Sequence, residues 1–179
     1  MAWLMKDQPP LRAVGIGGRM VRTEEQYGHI YDHFGIVYEY ANDARGFIFC
    51  RQQPNCFNNN SDVVLGTKGT AHILGFGGPP RIITEQTRWR YTGPRPDMYQ
   101  VEHNELFASI RSGRPVNDGV WMAQSTLLAI MGRMVAYTGR SLSWEEALNS
   151  QEDLTPPSVA WDQPLPVPPV AKPGITNFS

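Results

Sequence analysis

The chain has 179 residues and a mass of 20.1 kDa, enough for one ordinary domain or one domain and a tail. Hydrophobic residues make up 41% and charged residues 18%, a globular composition rather than a disordered one. Lys+Arg 16 against Asp+Glu 17 leaves a net charge of -1, without the basic surplus of a nucleic-acid binder that works by phosphate neutralisation.

Other classes are excluded in the same way. No apolar run approaches the roughly 18 residues of a membrane span. Cys50 and Cys56 are too few for a disulfide scaffold or an all-cysteine metal site, and they read as ordinary thiols. The apolar start Met1 to Met5 is too short for a signal peptide, so a cytoplasmic location is expected.

Residues 2–5 read as the end of a helix, stopped by Pro9-Pro10. Residues 11–21 read as a strand interrupted by Gly15, Gly17 and Gly18, followed by a polar loop over 23–28. Residues 34–40 and 45–52 are β-branched and aromatic, and Asn42-Asp43 between them predicts an antiparallel hairpin. A second hairpin is predicted over 58–65 and 70–74, turning at Gly66-Thr67-Lys68-Gly69. A glycine-proline break over 75–80 precedes short strands at 81–83 and 87–91.

The pattern then changes period. Tyr99, His103, Leu106, Phe107 and Ile110 form one helical stripe, closed by Gly113. His103 on this stripe reads as a core histidine. Asn117-Asp118 can cap a second helix, whose face carries Trp121, Leu128, Met131 and Val135, and Gly139 sits where its left-handed cap belongs. Ser143-Trp144-Glu145-Glu146 fits a capping box opening a short helix through Leu148. Strands first and helices afterwards predict an α+β fold: a two-layer sandwich with an open, mostly antiparallel sheet and helices packed on one face. The expected domains are 1–154 and a proline-rich extended tail over 155–179, in which the run from Pro164 to Pro169 resembles a ligand for aromatic-lined grooves.

The titratable residues concentrate at His29, Asp32 and His33. Their types suit a metal, a substrate contact or structural hydrogen bonding, and the pattern leaves the three open; two ligands sharing a face hold a metal weakly, so no metal site is assigned. Tyr27 and Tyr31 add hydroxyls suited to a polyol, and with Arg51 the candidate substrate-binding set is Tyr27, His29, Asp32, His33 and Arg51. Gly15-Ile16-Gly17-Gly18 invites a dinucleotide-loop reading, but such a loop must open a helix and strand-like residues follow here.

Several segments carry a resemblance. Residues 12–19 with Tyr31-Asp32-His33-Phe34, Leu65-Gly66-Thr67-Lys68-Gly69-Thr70, residues 127–133, and Asp153-Leu154-Thr155-Pro156-Pro157 closely resemble the C-terminal half of bacterial Gfo/Idh/MocA oxidoreductases. The resemblance implies an open-sheet domain that forms part of a sugar or polyol pocket and often a subunit interface. It implies NAD or NADP as cofactor, held by a separate Rossmann domain rather than by these residues. The family's nucleotide loop and its Glu-Lys-Pro segment have no counterpart here, and its Asp and His pair would precede Trp3-Leu4, so no catalytic or cofactor-binding residue is assigned. The expected partners are a second copy of this chain through the sheet face, a Rossmann-domain chain and a small sugar or polyol, with no nucleic acid and no membrane. The implied function is the substrate-pocket and oligomerisation half of an NAD(P)-dependent oxidoreductase; the alternative is a non-catalytic sugar-binding or assembly module.

Overall fold

In chain order the strands are β1 (Arg12–Gly18), β2 (His33–Glu39), β3 (Arg45–Arg51), β4 (Asp62–Gly66), β5 (Gly69–Leu74), β6 (Arg81–Thr84), β7 (Arg88–Arg90) and β8 (Leu142–Ser143); the helices are α1 (Met98–Ser112), α2 (Gly119–Thr138) and α3 (Trp144–Leu148). They come from a computed structural model that describes residues 1–74, 78–163 and 166–177. The chain divides into two compact units, Met1–Pro54 with Asn117–Ser179, and Asn55–Val116. The fold is α+β with open antiparallel sheets, and the strands are shared between two four-stranded sheets, β3-β2-β1-β8 in the first unit and β4-β5-β6-β7 in the second.

The first unit holds the core. Strand alternation puts Ala13, Gly15 and Gly17 of β1 on the same face as Phe34, Ile36 and Tyr38 of β2, and α2 lies against that face. The glycines set how close α2 comes. A Cβ at Gly15 would strike Ile36 Cδ1 and lie 3.1 Å from Val135 Cγ2; one at Gly17 would lie 2.8 Å from the His33 carbonyl and 3.3 Å from Ala136 Cβ. Gly132 repeats the device from the helix side, since a Cβ there would sit 2.6 Å from the Tyr38 hydroxyl. The glycine run of β1 is therefore a packing surface paired residue for residue with β2, not a nucleotide loop.

Only the C-terminal half of α2 is buried, through Met131, Met134, Val135, Ala136 and Tyr137, whereas Val120 and Met122 are exposed. Tyr38 donates its hydroxyl to the Leu128 carbonyl at 2.6 Å, and burial, with Tyr40 and Cys50 nearby, pushes its pKa up to about 12. Gly139 caps α2 in the left-handed conformation (φ 70), and the capping box of Ser143 and Glu146 opens α3 as expected. The tail returns to this unit: Val170 and Ala171 pack on the core, and Gly174 donates to the Thr138 carbonyl at 2.7 Å. The start of the proline motif, Pro164-Leu165, lies outside the described residues, as do residues 75–77 of the glycine-proline break over 75–80.

Several expectations are corrected. The first helix is a 3-10 turn, Trp3–Met5, ended by left-handed Lys6 rather than by the prolines. The strand expected to Val21 stops at Gly18, because the next amides turn toward Asp32. In the second unit β4 starts at Asp62 rather than at 58. Asp97 and Gly113 cap α1. His103 is not a core histidine: it is exposed, with Nδ1 2.7 Å from the Tyr99 carbonyl, and Tyr99, Leu106, Phe107 and Ile110 beside it are 49–63% exposed. Periodicity identifies an apolar stripe; it does not identify what covers it. Among the described residues no helix is long and apolar enough to cross a membrane.

Candidate functional site

The end of the first sheet is set by one row of the ladder, Gly18–His33–Arg51 across β1, β2 and β3. The ladder runs one residue further, with Asp32 N–H donating to the Gly18 carbonyl at 2.9 Å and Gln52 N–H donating to the Asp32 carbonyl at 2.8 Å. Asp32 is buried at this point. Its Oδ2 accepts from the backbone amides of Met20 (2.8 Å), Val21 (2.7 Å) and Arg22 (3.1 Å), and its Oδ1 lies 2.8 Å from His33 Nδ1.

Three successive amides around one anion form a backbone nest, occupied here by the chain's own carboxylate. Burial alone would raise the Asp32 pKa, but the bonds from Val21, His33, Met20 and Arg22 outweigh it and hold the group well below the usual carboxylate range. The ionised carboxylate only accepts, so His33 Nδ1 must be the donor, and in the neutral ring Nε2 is the acceptor. Gln53 Nε2, 3.5 Å from the same Nδ1, is then a neighbour rather than a donor. The imidazole lies over Gly18, where a Cβ would stand 3.0 Å from its Cε1 and Nε2. About a third of the His33 side chain is exposed (34%). A partly exposed imidazole oriented through Nδ1 can accept a hydroxyl hydrogen bond at Nε2.

Asp32, His33 and Arg51 are thus brought together by the ladder. Tyr27 joins them at one remove: it ends the turn Glu25–Tyr27 and carries the Arg22 guanidinium 5.4 Å from its ring centroid, while Arg22 also donates to Gln52 Oε1 at 3.3 Å. His29 is half-buried in the loop before β2, and no hydrogen bond ties it to the others. The Tyr31 hydroxyl is not offered to a ligand; it is buried and donates to the Ala171 carbonyl at 2.8 Å. Arg22, Gln52 and Gly18 were missed by sequence reading, because only the strand register brings them to this end. Among the described residues no three His, Cys, Asp or Glu side chains converge as a metal centre requires.

The row continues into the sheet face that α2 does not cover. Val14, Ile16, Val37, Phe47 and Phe49 share that face, with Ile16 and Phe49 each 78% exposed. At its far end Arg12 Nε donates to Glu39 Oε2 at 2.6 Å, and Arg45 stands 4.0 Å from the same carboxylate group. The face is therefore apolar in the middle, with an ion pair at one end and the Asp32–His33 pair at the other.

No protein-family profile matches the chain, and no curated protein matches it in sequence. In structure it is similar to a Thermotoga maritima protein provisionally designated an oxidoreductase, with a TM-score of 0.56 and 12% identity over 79% of this chain. The chain spans 42% of the length of that protein, and the likeness is one of fold.

Proposed function

We propose that this chain supplies the substrate-contacting and subunit-assembling half of a nicotinamide-dependent oxidoreductase acting on a sugar or polyol. The observation that carries this reading is the helix-backed antiparallel sheet whose other face is apolar and exposed and ends at an oriented imidazole. The fold likeness to a protein designated an oxidoreductase supports it. In this reading His33 Nε2 accepts from a substrate hydroxyl, Asp32 fixes the ring, and Tyr27, His29 and Arg51 flank it. The domain boundary proposed with it places the working fold in 1–154 and a supporting tail in 155–179.

The nicotinamide cofactor does not fit the glycine run present. Gly15 and Gly17 are paired within β1, and no helix starts after them to offer its amides to a pyrophosphate. In this reading the cofactor is held by a Rossmann-domain partner. Titration of NADH and NADPH into this chain alone, read by tryptophan fluorescence and calorimetry, is expected to give no saturable binding. A polyol panel is expected to shift the His33 ring resonances. Micromolar binding of either cofactor, or unmoved His33 resonances across the panel, contradicts the reading.

A further inference from the structure

The second sheet gathers its arginines on one face, alongside Val63, Leu65, Thr70 and Ile83. Its register places Val64, Ala71, Ile82 and Trp89 in one row on one face, and Val63, His72, Arg81 and Arg90 in the adjacent row on the other. Arg88 lies on the arginine face as well, two residues from Arg90 and opposite Ile83. Arg81 and Arg90 are directly opposed cross-strand partners. Like charges at opposed positions repel and weaken a sheet. Neither arginine is relieved by a carboxylate among the described residues, since the ion pairs found there involve Arg12, His33, Arg45, Arg133 and Arg140. Gly75-Phe76-Gly77, just before Gly78, contains no acid in its sequence.

The two guanidiniums also face a common point. Arg81 Nη1 is 3.9 Å and Arg90 Nη2 4.0 Å from where a Cβ would stand on Gly78. Gly78-Pro79-Pro80 leads into β6, and Tyr91 N–H donates to the Pro80 carbonyl at 2.8 Å, which ties the approach to the end of β7. Planar forks of donors suit tetrahedral oxyanions, and charge-assisted bonds to them are short and strong. We infer that Arg81 and Arg90 form a two-guanidinium clamp for a phosphate-class dianion, with Arg88 adding positive charge on the same face and His72 next to Arg81 in the row. The anion removes the repulsion that the bare pair carries. This site belongs to the second unit and does not depend on the oxidoreductase reading.

The test uses the full chain and the variants Arg90→Gln and Arg111→Gln. Inorganic phosphate, a hexose phosphate and acetate are titrated by calorimetry, and thermal midpoints are read in chloride and in phosphate. Wild type and Arg111→Gln are expected to bind phosphate saturably and gain in midpoint, with acetate weaker by about tenfold or more. Arg90→Gln is expected to lose phosphate binding by at least about tenfold while being no less stable than wild type in chloride. Tighter binding of the hexose phosphate identifies an ester as the ligand class; equal binding identifies the free anion. Absence of saturable phosphate binding, equal affinity in Arg90→Gln, or an equal loss of midpoint by that variant in both buffers overturns the inference.

Discussion

Asp32→Ala will destabilise the first unit by about 3 kcal/mol and lower its unfolding midpoint by roughly 10 °C, the largest loss expected from a single polar substitution in this chain. The change strips the acceptor from the amides of Met20, Val21 and Arg22 and from the His33 ring at once. Buried donors without a partner cost about 1–3 kcal/mol each, moderated here where water can enter the loop. Asp32→Asn keeps an acceptor oxygen and should lose less. The same group sets an acid limit. Its folded pKa is depressed, so its contribution is complete above the unfolded value of 3.8 and is lost as pH falls below that toward the folded value. Urea unfolding followed by circular dichroism at neutral pH and near pH 3 checks both statements. The wild-type advantage over Asp32→Ala should shrink in acid, and an unchanged difference would refute the charged-nest account.

The glycines of β1 give the second large effect, and their order is informative. Gly17→Ala should cost the most, about 2–3 kcal/mol, because its Cβ would meet the backbone carbonyl of His33, which cannot rotate away. Gly15→Ala should cost about 1–2 kcal/mol, because the end of the Ile36 side chain can give way. Gly18→Ala meets only the His33 ring, so stability should change little while the ring leaves its position over β1. Thermal melts of the three variants, with the His33 ring resonances as a second readout, test the ranking. Equal costs at all three positions would show that these contacts to β2 do not set the requirement for glycine.

These two cases mark what could be read from sequence. The β2–β3 hairpin was legible because its signal is local: Asn42-Asp43 turns, and Asp43 takes the left-handed backbone (φ 60) such a turn needs. The capping box at Ser143 and the caps at Gly113 and Gly139 were legible for the same reason. The end of β1 was not, because its cause is Asp32, which reaches back across the ladder to the amides after Gly18. The two-residue strand β8 exists only by pairing with β1 and has no pattern of its own. At the candidate site, Asp32 and His33 stood out by residue type, but their division of labour did not. The sequence could not say that one oxygen holds a loop and the other an imidazole. Tyr31 was misread for the converse reason, since a hydroxyl beside a polar cluster was spent on the Ala171 carbonyl of a distant tail.

The exposed face of the first sheet is where the functional account is most open to direct test. Val14, Ile16, Val37, Phe47 and Phe49 form a contiguous apolar surface on a pleated sheet, the kind of patch that marks an interface. If that surface assembles the protein, a glutamate at its centre must be desolvated on association, and truncating an aromatic anchor removes much of the binding energy. Sedimentation of wild type and Phe49→Glu over roughly 1–100 μM decides it, a range bracketing ordinary subunit affinities. The account predicts a wild-type dimer or larger assembly and a Phe49→Glu chain that is folded, monomeric and weakened in association by more than about tenfold. A wild-type monomer throughout that range, or an assembly indifferent to Phe49→Glu, would contradict it.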